Sequence, residues 1–168
     1  MSQLSLSLDS SLLVRDDQGR YLPATADQIL EVARYVIDQK IPRGTLFTSP
    51  ALVKDYLRTK LASFEHEVFA ALFLDSQNRL IEYVEMFRGT IDQASVYPRE
   101  VVKTALQYNA AAVIFSHNHP SGNSEPSQAD KLLTQRLKEA LALVDVRTLD
   151  HIVVGGEATT SFAERGLL

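Results

Sequence analysis

The sequence predicts an α/β or α+β fold in which a β-sheet is flanked by helices. Segments with apolar residues at helical spacing alternate with short, almost wholly apolar runs that are typical of buried strands. The chain contains neither an internal repeat nor a low-complexity linker, and its 168 residues suit about one domain. Hydrophobic residues make up 45% of it and charged residues 23%, close to the globular average, so neither a disordered nor a fibrous chain is expected.

The N-terminal region is expected to hold an arm and one helix. Residues 1–24 mix Ser and Asp with isolated leucines, and we expect them to form an irregular arm. Thr25 and Gln28 fit a capping box, and apolar residues then recur at helical spacing. We therefore divide the chain into an N-terminal arm and helix, residues 1–40, and a main domain, residues 41–168.

A helix and a β-hairpin are expected at the start of the main domain. Ser49 precedes Pro50, and proline is favoured at the first position of a helix. An apolar run begins at residue 68, and a second run follows a cluster of polar turn residues. We therefore expect residues 68–88 to form a β-hairpin.

The remaining elements alternate between helices and strands. Pro98 opens a helix that is expected to end near Asn109, and residues 110–116 form an apolar run typical of a buried strand. A polar loop follows. Residues 128–144 give the clearest helical pattern, and residues 146–154 predict a last strand that ends at two glycines.

Composition and charge exclude several classes of function. The chain has no cysteine, which excludes disulfides, thiolate nucleophiles and cysteine-based zinc sites. Its net charge of −4 argues against electrostatic binding of nucleic acid. The N-terminus does not resemble a secretory signal, and no run of about 18 apolar residues could span a membrane. We therefore expect a cytoplasmic protein with no membrane partner, and the sequence gives no indication of its oligomeric state.

Two of the four histidines, His117 and His119, lie at the end of an apolar strand. Residues i and i+2 of an extended segment point to the same side, so both imidazoles can face one point. Asp130 follows in the first turn of the clearest helix. Two imidazoles and a carboxylate, with a fourth position open to water, form a catalytic type of zinc site. Ser127 and Asp130 also fit a capping box, so the spacing alone leaves a purely structural interpretation open.

These residues resemble the motif H-x-H-P-x7-S-x2-D of the JAMM metalloproteases, also called MPN+ or JAB proteins. His117, His119, Pro120, Ser127 and Asp130 occupy its fixed positions. The chain is more similar still to the RadC-like branch, and the resemblance covers roughly residues 40–168. The similar segments are residues 87–91, 96–102, 116–122, 125–127 and 149–155.

The resemblance implies a cytidine-deaminase-like α/β sandwich around a central mixed sheet. It implies that zinc (Zn²⁺) is held by His117, His119 and Asp130. It further implies that Ser127 donates a hydrogen bond to the developing oxyanion. An upstream glutamate, just before a core strand, would act as general base and then as general acid, and Glu67 matches that position.

Other interpretations of the glutamates are also open. Glu67 could simply cap its strand at the surface. Three other glutamates near the same strand are weaker candidates than Glu67, because they match no motif position: Glu65, Glu82 and Glu85. Glu65 or Glu82 would be the next candidate if Glu67 were too far from the metal ligands.

We expect a zinc-dependent hydrolase of JAMM type that cleaves a peptide or isopeptide bond in a peptide or protein substrate. One alternative is a DNA-associated protein, such as a repair protein or a nuclease, which the acidic net charge disfavours. The other is a non-catalytic MPN interaction module, which would not need the whole set of motif residues. Full-length RadC-like proteins carry an N-terminal helix-hairpin-helix region associated with DNA binding, and we do not expect it in the residues that precede the resemblance here.

Overall fold

The computed structural model describes residues 12–89 and 96–168. The chain divides into two compact units, Met1–Gln39 and Lys40–Leu168. The division near residue 40 into an arm-and-helix region and a main domain stays a prediction. No helix in the described part of the chain is long and apolar enough to cross a membrane.

The N-terminal unit contains a hairpin where the sequence predicted an irregular arm. Strands β1 (Leu13–Arg15) and β2 (Tyr21–Pro23) pair antiparallel. Their turn is held by the Asp16 carboxylate, which accepts a hydrogen bond from the N–H of Arg20 at 2.9 Å. The prediction was wrong here because such side-chain contacts leave no trace in the hydrophobic pattern. The rest of the predicted arm, residues 1–11, lies outside the described residues.

Helix α1 (Ala26–Lys40) begins at the capping box that the sequence predicted. The Thr25 N–H donates to Gln28 Oε1 at 2.9 Å, and the Gln28 N–H donates to Thr25 Oγ1 at 3.3 Å. No residue of α1 is buried. The helical spacing therefore predicted the conformation correctly but not the burial of an apolar face.

Five strands form a mixed sheet in the second unit, and the expected hairpin is confirmed as its first two strands. The strands lie in the order β4-β3-β5-β6-β7. Strands β5 and β6 are parallel, and the other neighbouring pairs of this sheet are antiparallel. Their bounds are β3 Val68–Leu74, β4 Leu80–Arg88, β5 Ala112–Asn118, β6 Arg147–Gly155 and β7 Ala158–Ser161.

The helices of this unit are α2 (Pro50–Leu61), α3 (Pro98–Gln107) and α4 (Gln128–Ala142). Each begins where the sequence predicted. Helix α2 starts at an N-cap, Ser49, whose hydroxyl accepts a hydrogen bond from the N–H of Leu52 at 3.4 Å.

Helices cover both faces of the sheet. On one face, side chains of β3 and β5 pack with α3 and α4 around Phe69 and Phe115. On the other face, Tyr56 of α2 meets Tyr83 of β4 edge-on, with ring centroids 5.8 Å apart. The α/β sandwich with a central mixed sheet is therefore confirmed. Further members of the first core are Phe73, Val101, Ala105, Val113, Leu137 and Leu141.

Two differences from the predicted strands affect the site. Strand β5 runs on to Asn118, so His117 lies within the sheet rather than in the following loop. Strand β7 was not predicted, because it has only four residues and follows a turn that contains Gly156, whose φ is +58°. The two glycines resembled the end of the sheet but instead reverse the chain within it.

Candidate metal centre

The structure brings His117, His119 and Asp130 together at the carboxyl end of β5. His117 is near the end of that strand, His119 immediately follows it, and Asp130 lies in the first turn of α4. The two Nε2 atoms are 3.0 Å apart. Asp130 Oδ1 lies 3.4 Å from His117 Nε2, and Asp130 Oδ2 lies 3.5 Å from His119 Nε2. These three residues form a group that could hold a metal ion.

The three side chains lie at the border between core and solvent. The exposed fraction of the side chain is 2% for His117, 19% for His119 and 14% for Asp130. The cluster is therefore shielded on its inner side by the sheet and reachable from the side of His119. Such a position suits a ligand set that must exclude most water yet admit a substrate.

The outer nitrogen of His119 is bound to a loop carbonyl. His119 Nδ1 lies 2.7 Å from the carbonyl oxygen of Asn123. A carbonyl can only accept, so Nδ1 carries the proton and donates it. The neutral ring therefore presents the lone pair of Nε2 to His117 and Asp130, as a metal ligand requires.

A close approach of backbone to backbone places that carbonyl. A Cβ atom added to Gly155, at the end of β6, would lie 2.3 Å from Ser124 N and 2.5 Å from the carbonyl carbon of Asn123. No real side chain tolerates such contacts, so the loop can approach β6 only because residue 155 is glycine. Gly155 therefore helps to position the partner of His119.

Ser127 and Asp130 form the capping box that the sequence left open. Asp130 Oδ2 accepts hydrogen bonds from the Ser127 N–H and the Ser127 hydroxyl, both at 2.7 Å. The Asp130 N–H in turn donates to Ser127 Oγ at 3.1 Å. The box starts α4 and fixes the Asp130 carboxylate, while Oδ1 faces His117. Asp130 can therefore be part of the helix cap and, at the same time, face the proposed metal position.

Electrostatics favour a negative charge at the centre. Burial raises the pKa of Asp130, but hydrogen bonds with His117 and His119 outweigh it and hold that pKa well below its usual range. The hydrogen bond with Asp130 is the main reason why the pKa of His119 lies above its ordinary value, and burial opposes it. An ionised carboxylate beside two imidazoles attracts cations.

Glu67 lies directly before β3 and is half-buried. Its charge contributes to the raised pKa of His119, which places the two groups within electrostatic range. Because Phe69 pairs with His117 across the antiparallel strands, Glu67 precedes β3 at the edge of the sheet where the histidines lie. Its role as acid and base stays a prediction.

Asn118 of β5 holds the residues on both sides of Glu67 by hydrogen bonds. Asn118 Oδ1 accepts a hydrogen bond from the Val68 N–H at 2.8 Å, and its Nδ2 donates to the His66 carbonyl at 3.0 Å. Of the other glutamates, Glu82 pairs with Arg43 and Glu85 with Arg88. No catalytic role is proposed for these two.

The donor set fits zinc, since two imidazole nitrogens and one carboxylate oxygen converge and zinc favours such ligands. A family model described as a RadC-like JAB domain matches residues 47–167. The chain belongs to the RadC-like JAB family. This confirms the resemblance that the sequence motifs indicated.

Several relatives share most of the chain. Two proteins of Vibrio cholerae, each named UPF0758 protein, are 62% identical over 141 and 142 residues, which is 84% of this chain and 89% and 90% of theirs. A UPF0758 protein of Leptothrix cholodnii is 61% identical over 140 residues, 83% of this chain. This chain spans only 63% of that longer relative.

Sequence reasoning missed two residues of this RadC-like JAB site. His151 lies within β6, with Nε2 2.8 Å from His117 Nδ1, and nothing in the sequence pattern placed it beside the two motif histidines. Thr134 lies 2.6 Å from His151 Nδ1. A signal was present, since a lone histidine inside an apolar strand needs a polar partner.

Proposed function

We propose that the protein is a zinc-dependent hydrolase of JAMM type that cleaves a peptide or isopeptide bond. The observation that carries the proposal is the convergence of His117 Nε2, His119 Nε2 and the Asp130 carboxylate. An ionised carboxylate and two imidazole nitrogens that face one point attract a cation to that point. Membership of the RadC-like JAB family supports the same conclusion.

His117, His119 and Asp130 would hold the zinc. Zinc, when bound, supplies a Lewis acid that lowers the pKa of water to about 7 and polarises a carbonyl. In our proposal the Glu67 carboxylate accepts a proton from the attacking water and later returns it to the leaving amine. Its half-buried position at the border of the site suits a group that must exchange protons with both.

Ser127 would stabilise the oxyanion through its hydroxyl. That hydroxyl now donates to Asp130 Oδ2, so its proton must turn away from the carboxylate to reach a substrate. The Ser127 N–H also donates to Oδ2, at 2.7 Å, and would keep the carboxylate in place during that turn. The capping box thus allows the serine to act without releasing Asp130.

The metal content of protein prepared without a histidine tag tests the proposal first. We expect about one zinc per chain by elemental analysis, as for a site with three protein ligands. The double variant His117→Ala/His119→Ala should lose it, because one carboxylate is too weak a site, while the circular dichroism spectrum stays that of a folded protein. Full zinc content in the double variant would contradict the proposal.

Bond cleavage needs its own test, because the natural substrate is unidentified. The zinc-loaded protein would be incubated with a mixture of unfolded proteins and with isopeptide-linked peptides, and new amino termini and released lysine side-chain amines would be counted by mass spectrometry. The double variant serves as the control. Zinc binding without any cleavage would favour the non-catalytic interaction module over the hydrolase.

A further inference from the structure

A chain of hydrogen bonds runs from the outer side of His117 back to the helix that carries Asp130. His117 Nδ1 lies 2.8 Å from His151 Nε2. His151 Nδ1 lies 2.6 Å from Thr134 Oγ1, which in turn lies 2.6 Å from the carbonyl oxygen of Asp130. Thr134 and His151 thus connect the backbone of one proposed ligand, Asp130, to the ring of another, His117.

The direction of each hydrogen bond in this series follows from the carbonyl oxygen of Asp130, at which the series ends. A carbonyl oxygen can only accept, so the single hydroxyl proton of Thr134 points to Asp130. Thr134 Oγ1 must then accept from His151, which places the proton of that ring on Nδ1. His151 Nε2 is consequently an acceptor, and His117 must donate to it from Nδ1.

The surroundings of His151 keep its ring neutral and fixed. The residue is fully buried, and its ring stacks on Phe162 with centroids 4.8 Å apart. Phe69 and Phe115 meet it edge-on at 5.6 and 6.0 Å. A charged imidazolium is costly among buried aromatic rings, so these surroundings favour the neutral ring.

We propose that Thr134 and His151 are positioning residues, which hold His117 as the Nδ1–H tautomer with the lone pair of Nε2 directed at the metal centre. This inference rests on the proposed function, since it assigns a purpose to the tautomer. A ring with its proton on Nε2 would present N–H to the centre and could not bind a metal. Partners of this kind typically change metal affinity 10–100-fold.

The two histidines reach the same tautomer by different means. His119 lies at the border with solvent and donates to a loop carbonyl. That carbonyl oxygen can only accept, so no other group is needed to fix the direction of the hydrogen bond. His117 is buried in the sheet, where its neighbour is another imidazole that could either donate or accept. Only the Thr134 hydroxyl, tied to a backbone carbonyl, removes that ambiguity.

The test uses substitutions that change the hydroxyl and little else. Thr134→Val keeps the shape of the side chain but removes the acceptor for His151, which can then reverse its tautomer. Thr134→Ser keeps the hydroxyl and should therefore keep the His117 tautomer and the zinc affinity of wild type. Ser116→Ala is the matched control, because Ser116 is equally buried, donates to the Ile152 carbonyl at 2.7 Å and adjoins His117 on the opposite face of the sheet.

Two readouts are independent of catalysis. Long-range ¹H–¹⁵N correlation spectra of the metal-free protein should assign His117 as Nδ1–H in wild type, Thr134→Ser and Ser116→Ala, and not in Thr134→Val. Zinc affinity, measured by competition with a chelator at constant pH, should fall 10–100-fold in Thr134→Val. It should stay within about threefold in the other two variants, well below that range.

Several results would overturn the proposal. An Nε2–H tautomer of His117 in wild type contradicts it outright, and so does unchanged zinc affinity in a folded Thr134→Val. An equal loss in Ser116→Ala would mean that any lost buried hydroxyl disturbs the site. If Thr134→Val does not fold, the wild-type spectrum alone decides. If wild type binds no zinc, the proposed function fails, while the spectrum still tests the tautomer.

Discussion

Strand β6 contributes to two buried polar clusters on opposite faces of the sheet. His151 points to the metal centre, whereas its neighbour Asp150 belongs to a cluster that closes the C-terminal turn. Asp150 Oδ1 accepts from the N–H groups of His151 at 2.7 Å and Ala163 at 2.9 Å. Its Oδ2 accepts from the Ser161 hydroxyl at 2.6 Å. Each carboxylate oxygen is thus matched by donors of the chain itself.

The candidate metal centre has fixed donors and acceptors on its outer side, where Ser127 also donates to Asp130. Its histidines donate outward to His151 and Asn123, while their inner nitrogens lie 3.0 Å apart beside an ionised carboxylate. The comparison teaches how to separate structural from functional buried polar groups. A carboxylate whose oxygens each meet donors of the chain is complete, whereas two imidazole nitrogens that converge beside a carboxylate form a group that could hold a cation.

The largest expected effect concerns proton transfer at the candidate metal centre. Glu67→Gln keeps the size and hydrogen bonding of the side chain but cannot cycle a proton. We expect turnover of a cleaved substrate to fall by about 10²–10⁴-fold while zinc content and folding persist. Zinc content and single-turnover rates would be measured on the same preparation.

The neighbouring Glu65→Gln is the control, since Glu65 is exposed and precedes β3 in the same segment. It removes the same charge and should leave turnover nearly unchanged. Equal losses in the two variants would show that the charge of the segment matters, and not a positioned acid and base.

An intermediate effect is expected in the cluster around Asp150. Asp150→Ala leaves the Ala163 N–H and the Ser161 hydroxyl without their acceptor, so the free energy of unfolding should fall by about 2–3 kcal/mol. Zinc affinity should stay near that of wild type, because Asp150 faces away from the centre. Urea unfolding of the metal-free protein and chelator competition would measure the two quantities.

Asp150→Asn sharpens this contrast, because it keeps one acceptor oxygen and should cost less stability. A large loss of zinc affinity in either variant would mean that the two clusters act as one unit. The distinction between a complete cluster around Asp150 and a cation-binding cluster at His117, His119 and Asp130 would then fail.

The smallest effect is expected at the loop that supports His119. Gly155→Ala forces the backbone of residues 122–124 away from β6, which weakens the bond between the Asn123 carbonyl and His119. We expect zinc affinity to fall by about tenfold, the lower end of the range for such partners. Asn123→Ala keeps that carbonyl and should bind zinc nearly as wild type does, as the same chelator titration would show.

The sequence predicted those parts of the site that are local in the chain. His117 and His119 share a strand end, and the spacing of Ser127 and Asp130 is that of one helical turn, so each pair could be predicted without knowledge of the fold. The structure brings His117, His119 and Asp130 together, as the hypothesis of a metal site requires. Their use as metal ligands stays a prediction.

The parts that could not be predicted depend on pairing between distant segments. His151 meets His117 only because β5 and β6 are parallel and place Phe115 opposite His151. The hairpin of β1 and β2 and the short strand β7 were missed because their turns are held by polar contacts or glycines. Hydrophobic periodicity carries no information about such contacts.

The central position of β5 has a consequence for the order of events in folding. The strand pairs antiparallel with β3 and parallel with β6, and the groups of the site come from both partners as well as from α4. Neither pairing is local in the chain, so both belong to the slower steps of folding. The proposed ligands all lie within residues 117–130, but His151, which fixes the ring of His117 in our proposal, joins them only when β6 pairs with β5. We therefore expect the ligands to reach their final orientation late in folding.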